Sequence, residues 1–128
     1  VEKEQKNIID FMRSANLPVR SKPTVDVSTS EKFLRCKLIL SEVDELVDAI
    51  YAGDINGIAD GLGDLIYLAK GTGNTFGIDL EDVMEEIHKS NMTKLIGGVE
   101  TLPSGKIIKR DTFVEPDIDS IIKRQSEC

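Results

Sequence analysis

Residues 28–52, STSEKFLRCKLILSEVDELVDAIYA, decide how the rest of the chain is read. They open on Ser28-Thr29-Ser30-Glu31, a capping-box spacing in which the Ser oxygen accepts a free backbone N–H and the Glu reaches back to the cap. No proline or glycine follows until Gly53, so the pattern predicts one long helix to about Ala52. At about 100° per residue, Ile39, Val43, Leu46, Val47 and Ile50 form a stripe expected to be buried, while Lys37, Ser41, Asp44 and Asp48 point to water. Glu42 and Glu45 fall in neither sector. They share a third with Leu34, Leu38 and Ala49, which predicts a helix covered on two sides with an i, i+3 carboxylate pair turned inward.

Outward from this segment the periodicity stays helical. Ile8, Ile9, Phe11 and Met12 predict a first helix over about 2–14, stopped by the loop that holds Pro18 and Pro23. Beyond Gly53 and Asp54 a third helix is expected over about 58–70, ended by Gly71-Thr72-Gly73-Asn74. Asp79 reads as the N-cap of a fourth, over about 80–92. Gly97-Gly98, Pro103-Ser104-Gly105 and Lys106-Ile107-Ile108-Lys109 then read as a loop and a short extended segment or hairpin. Glu115-Pro116-Asp117 opens a small final helix to about Gln125. The fold class expected is all-α, and with no repeat or linker the whole of 1–128 is read as a single domain.

The composition agrees. The chain has 128 residues, 40 % hydrophobic and 30 % charged, enough apolar surface for a core and too much for disorder. The longest apolar runs, such as 65–69, are far below the roughly 18 residues of a membrane span, and the charged first residues lack a signal-peptide core. A cytoplasmic protein with no membrane partner is expected. Two cysteines, Cys36 and Cys128, lack ligand-like neighbours, so neither a disulfide framework nor a zinc site is indicated, and Cys36 reads as a small core residue. A net charge of −7 argues against nucleic-acid binding, which needs a basic face.

The charge is unevenly placed. Between Glu42 and Glu86 stand twelve acidic residues and one basic, Lys70, whereas Lys89 to Arg110 carries five basic residues against Glu100 alone. In the third helix Ile58, Leu62, Leu65, Ile66 and Ala69 form the apolar stripe, and Asp60 and Asp64 share the opposite side with Tyr67. Gly57, Gly61 and Gly63 around them signal close helix approach or space kept for a ligand, with loose capping as the competing explanation. Carboxylates gathered in a poorly solvated place repel unless a cation sits between them. Hard oxygen ligands from facing helices suit Mg²⁺, which is commonly shared with phosphate oxygens. Glu85-x-x-His88 fits a di-iron motif, but His88 is the only histidine, and such a site uses two.

At this point the residues resemble a known family. The segments 38–46, 59–67 and 77–80, and above all His88-Lys89-Ser90-Asn91-Met92-Thr93-Lys94-Leu95, are similar to the all-α nucleoside triphosphate pyrophosphohydrolases, which include MazG-like enzymes, dimeric dUTPases and phosphoribosyl-ATP pyrophosphohydrolase. Residues 105–109 and Pro116-Asp117 fit the MazG-like and phosphoribosyl-ATP pyrophosphohydrolase-like branch. The resemblance covers about 35–122. It implies a four-helix core, a homodimer or homotetramer, and Mg²⁺-dependent cleavage of a nucleoside triphosphate between the α and β phosphates, with Mn²⁺ as a substitute ion. Glu42 and Glu45 match two of the family's helix glutamates, with Ser41 in place of the first. Asp64 matches the final Asp of the next motif, and Gly61 stands where many members carry Glu, so Asp60 is the residue left to supply that carboxylate.

The residue chemistry assigns roles alongside the name. Glu42, Glu45, Asp60 and Asp64 are the expected metal ligands, with Glu42 and Glu45 also catalytic, one carboxylate accepting a proton from the attacking water. Lys94, Lys106 and Lys109 are expected to neutralise the remaining phosphates, and Asn91 to read a base or sugar edge. Arg35 is expected in an internal ion pair with Glu31 or Glu42. The competing readings are phosphoribosyl-ATP cleavage in histidine biosynthesis and a non-catalytic metal- or nucleotide-binding regulatory bundle.

Overall fold

The computed structural model describes residues 3–127. It holds five helices in chain order: α1 (Lys3–Ser14), α2 (Thr29–Ala52), α3 (Ile55–Thr75), α4 (Leu80–Thr93) and α5 (Ile118–Ser126). Among the described residues the only β pairing is an isolated antiparallel bridge between Thr101 and Ile107. The fold is all-α, as the periodicity predicted. None of the helices is long and apolar enough to cross a membrane. The chain divides into two compact units, Val1–Asp79 and Leu80–Cys128.

In the first unit, α2 forms as its start signal dictates. Ser28 accepts from the Glu31 N–H and the Glu31 carboxylate accepts from the Ser28 N–H, both at 3.2 Å. Gly53, at φ 66°, closes the helix by donating to Ala49 and Ile50, a left-handed position that costs glycine nothing. Asp54 then caps α3 through the Gly57 N–H, so α3 starts three residues earlier than the apolar stripe indicated. It also runs five residues past Lys70, through Gly71 and Gly73. Gly71 does not end the helix because it is where the helix is approached. A Cβ on Gly71 would meet Arg35 Nη1 at 2.9 Å and Met12 Sδ at 3.6 Å.

That buried end of α3 anchors α1. Ile8 and Met12 are buried against it, Gln5 Nε2 donates to Asn74 Oδ1 at 2.8 Å, and Lys70 pairs with Glu4. Arg20 ties the start of α2 to the same place, donating to the Thr75 carbonyl at 2.8 Å and to the Glu31 carboxylate at 3.0 Å. Glu31 is thereby occupied, and the expected pairing of Arg35 with Glu31 or Glu42 does not form. Arg35 is buried with no ion partner among the described residues.

The α2–α3 contact corrects the stripe assignment. Gly61 is buried, and a Cβ there would sit 3.1 Å from Leu46 Cδ1 and 3.3 Å from its Cα. The missing side chain lets α3 press onto the face of α2 that carries Leu46 and turns Glu42 inward. Of the expected buried stripe only Leu46 is buried. Val43, Val47 and Ile50 are exposed, as are Leu62, Ile66 and Ala69 on α3. Cys36, expected in the core, is exposed for the same reason. Gly57 is explained by its cap, since a Cβ would meet Asp54 Oδ2 at 2.5 Å, and Gly63 faces open space.

In the second unit α4 packs on α5, which starts where the sequence placed it, Asp117 capping through the Ser120 N–H at 3.1 Å. Between them, Leu102 donates to the Lys106 carbonyl and Ile108 to that of Glu100, both at 2.8 Å. This is the expected hairpin, closed around Gly105.

Candidate functional site

Three of the four predicted metal ligands, Glu45, Asp60 and Asp64, lie near enough to Glu42 for their charge to act on it. Glu42 is half-buried on α2, and its Oε2 is shielded from solvent with no hydrogen-bond partner. Its carboxyl is held above the usual glutamate range, first by burial, then by the charge of Glu45, the charge of Asp64, a side-chain hydrogen bond with Glu45 and the charge of Asp60. Burial and like charge act in the same direction, because each disfavours the ionised form. Helical geometry explains the gathering. Glu42 and Glu45 lie one turn apart on α2, Asp60 and Asp64 one turn apart on α3, and the close approach at Gly61 brings the two turns face to face.

The four carboxylates are neighbours but not a closed cage. Among the described residues no three His, Cys, Asp or Glu side chains converge on a common cation position. Glu45 and Asp60 are exposed and line an open groove of about 430 Å³ together with Asp48 and Asp54. Asp48, which the periodicity sent to water, and Asp54, read only as a breaker, were not counted with the cluster. Both lie at the α2–α3 turn, where the hairpin brings them back beside it. The cluster suits a hard dication in its all-oxygen chemistry, and the orphaned, shielded Glu42 Oε2 is the atom that a cation would satisfy.

The other predicted residues lie in the second unit. Ser90 donates to the Val114 carbonyl at 2.6 Å, and Val114 N–H to Thr93 Oγ1 at 2.8 Å, which fixes Phe113 beside the end of α4. Lys94 Nζ stands 5.6 Å and Lys109 Nζ 4.9 Å from the centre of the Phe113 ring. Two of the three predicted phosphate-binding lysines are thus brought over one aromatic face, within cation–π range. Lys106 is exposed in the hairpin, and Asn91 is exposed in the last turn of α4. Phe113 carried no signal in the sequence, since a lone aromatic in a loop has no periodicity. Glu85 and His88 are both exposed on α4.

Comparison with known proteins adds to this geometry. The sequence model of the family described as phosphoribosyl-ATP pyrophosphohydrolase matches residues 8–91, the span holding the second half of α1, all of α2 and α3 and nearly all of α4. The chain belongs to that family. It is a MazG-like, all-α family of nucleotide pyrophosphohydrolases, and its members typically depend on a divalent metal. An uncharacterized protein of Acanthamoeba polyphaga mimivirus is 41 % identical over 63 residues, covering 48 % of this chain and 25 % of that protein. The chain therefore spans about a quarter of the length of the curated relative it matches. The match to the family embraces all four carboxylates and Asn91, and ends before Lys94, Lys106 and Lys109.

Proposed function

We propose that this protein hydrolyses a nucleoside triphosphate between the α and β phosphates, releasing a monophosphate and pyrophosphate, with Mg²⁺ or Mn²⁺ held by Glu42, Glu45, Asp60 and Asp64. The observation that carries the reading is the shielded Glu42 Oε2, without a partner and under the charge of three neighbouring carboxylates. An uncompensated arrangement of this kind is destabilising, and a dication relieves it. When bound, the ion supplies Lewis-acid stabilisation to the phosphate oxygens. The chain's own residues do the rest. Exposed Glu45 orients the attacking water, and a carboxylate of the cluster takes its proton. Lys94 and Lys109, with Lys106, are assigned to polyphosphate oxygens, and Asn91 to a sugar or base edge.

Cleavage of phosphoribosyl-ATP is the second reading, favoured by the description of the matching family. A panel of canonical, deoxyuridine and damaged triphosphates together with phosphoribosyl-ATP, assayed for pyrophosphate release with Mg²⁺ and with chelator, decides between them. Release that requires the ion is expected. A folded sample that binds Mg²⁺ and nucleotide but releases no pyrophosphate from any of these would make the chain a regulatory binder instead.

The partner proposed is a second copy of the chain. On α2, Phe33, Cys36, Leu40, Val43, Val47 and Ile50 are all exposed and recur at alternating spacings of three and four, the pattern of a helix–helix seam. On α3, Ile55, Ala59, Leu62, Ile66 and Ala69 do the same. Two adjacent seams on one hairpin are half of a four-helix bundle, and an identical hairpin completes it by two-fold symmetry.

A further inference from the structure

Phe113 stands between two of the predicted phosphate-binding lysines, and the reading above gives it no task. The chain on either side of it is tied to the end of α4. Thr112 Oγ1 donates to the Thr93 carbonyl at 3.2 Å and the Val114 N–H to Thr93 Oγ1 at 2.8 Å, while buried Ser90 donates to the Val114 carbonyl at 2.6 Å. The Phe113 N–H itself donates to the Arg110 carbonyl at 2.9 Å. Two ammoniums reach this ring from different segments of the second unit. Lys94 follows the last turn of α4 and stands 5.6 Å from the ring centre, and Lys109 leaves the hairpin and stands 4.9 Å from it. Carboxylates are plentiful in a chain of net charge −7, yet among the described residues neither lysine is paired with one. Glu100, the acid of the hairpin, is taken by Arg110 at 3.1 Å.

A ring attracts a cation through its quadrupole and carries no net charge, so it aligns both ammoniums without neutralising them. A carboxylate in its place would cancel the charge it held. Each ammonium keeps N–H donors for an acceptor, and two like charges drawn to one ring repel until an anion joins them. Lysine is a point charge on a flexible stem. Each therefore meets one phosphate, and two arriving from separate segments match an anion with two linked phosphates better than a single one. We propose that Phe113 is a positioning residue that holds Lys94 and Lys109 as a two-armed clamp for a diphosphate group. The β and γ phosphates of a substrate and free pyrophosphate share that chemistry. The inference rests on the triphosphate reading above for its part in turnover, and it adds that the clamp retains the released pyrophosphate. The ring's contribution is to order both stems before the anion arrives, because side chains that must be ordered on binding weaken affinity.

Two measurements test this. In the first, the metal-free protein is titrated calorimetrically with inorganic pyrophosphate and with orthophosphate at low ionic strength. Wild type is expected to bind pyrophosphate the more tightly. Phe113→Leu, which keeps apolar bulk and removes the ring, is expected to weaken that binding roughly tenfold, the scale of ordering two long side chains, and Phe113→Tyr, which keeps the ring, to restore it. In a Lys94→Met/Lys109→Met background Phe113→Leu is expected to change nothing further, whereas a merely structural phenylalanine would still cost affinity. The second measurement is turnover with Mg²⁺. Phe113→Leu is expected to raise KM and the pyrophosphate inhibition constant by the same factor with kcat little changed, the pattern of lost uniform binding. Should that variant fail to fold, the Phe113 ring resonances of wild type decide, since pyrophosphate is expected to shift them and an unmoved ring would overturn the clamp. Pyrophosphate binding that depends on Phe113 while no triphosphate is cleaved would uphold the clamp and sink the hydrolase reading. Cleavage with KM and pyrophosphate affinity unchanged in Phe113→Leu, or a wild type that binds orthophosphate as tightly as pyrophosphate, would overturn the clamp and leave the hydrolase standing.

Discussion

Single side chains carry both the chemistry and the helix contact that assembles it. Glu45→Gln removes a charge at constant volume from an exposed position, so folding is expected to be untouched. Even outer-shell partners of metal sites are worth about 10- to 100-fold in activity, and loss of a ligand should cost about 100-fold or more in kcat. Pyrophosphate release beside an unchanged melting curve checks this, and retained turnover would remove Glu45 from the ligand set. Two glycines test the packing in opposite directions. Gly61→Ala places a methyl 3.1 Å from Leu46 Cδ1 and 3.3 Å from its Cα, so two helix backbones must separate. Overpacking of about 1–3 kcal/mol outweighs the roughly 1 kcal/mol gained in helix propensity, and a net loss is expected in urea titrations. Gly63→Ala meets nothing within 4 Å and should stabilise by up to about 1 kcal/mol. If both variants move the same way, Gly61 is not what sets the α2–α3 approach.

At the scale of elements, the caps are the most legible part of the chain because they are local. Asp117 is held below its ordinary value of 3.8 by the Ser120 side chain, then by the Ser120 backbone, with Lys123 assisting against a small opposing effect of burial. A carboxyl depressed in the folded state contributes fully above its unfolded value and loses that contribution as pH falls through the lower folded value. Helix α5 should therefore fray on acidification below about pH 4. Asp117→Asn keeps a cap without a titrating group, so amide exchange in α5 should become independent of pH across that window once intrinsic exchange is corrected. Ser28-x-x-Glu31 and Glu115-Pro116-Asp117 could be read from neighbours three residues apart, and the structure has both helix starts in place. The ends of α3 could not. Gly71 looks like a stop until α1 is known to lie against it, and Asp54 looks like a breaker until its carboxylate is seen on Gly57. Arg35 failed for a related reason. Its sequence neighbours offered two partners, and a residue from the distant loop, Arg20, had already taken one.

Over the whole molecule, hydrophobic periodicity gave the fold class but could not say which apolar stripe meets this chain and which meets another. Val43, Val47 and Ile50 have the spacing of a core and are exposed, because a periodic stripe records only that something covers it. Leu40 is 67 % and Ile66 53 % exposed, and apolar residues exposed along two neighbouring helices are the kind of surface that marks an interaction site. The same close approach at Gly61 explains both results: it turns the carboxylate sector of α2 toward α3, and so rotates the two seams outward, making the inward acids and the outward hydrophobics consequences of one contact. The second copy proposed for these seams would then contribute to stability rather than to regulation alone. Val47→Glu puts a charge in the middle of the α2 seam, and two-fold symmetry brings the substitution to the interface from both copies. Wild type is expected to sediment as a dimer or tetramer at micromolar concentration, and Val47→Glu as a monomer with a lower melting temperature. Asp44→Lys, on the water-facing side of the same helix, should leave the assembly intact. A wild-type protein that sediments as a stable monomer would mean that these seams serve no second copy.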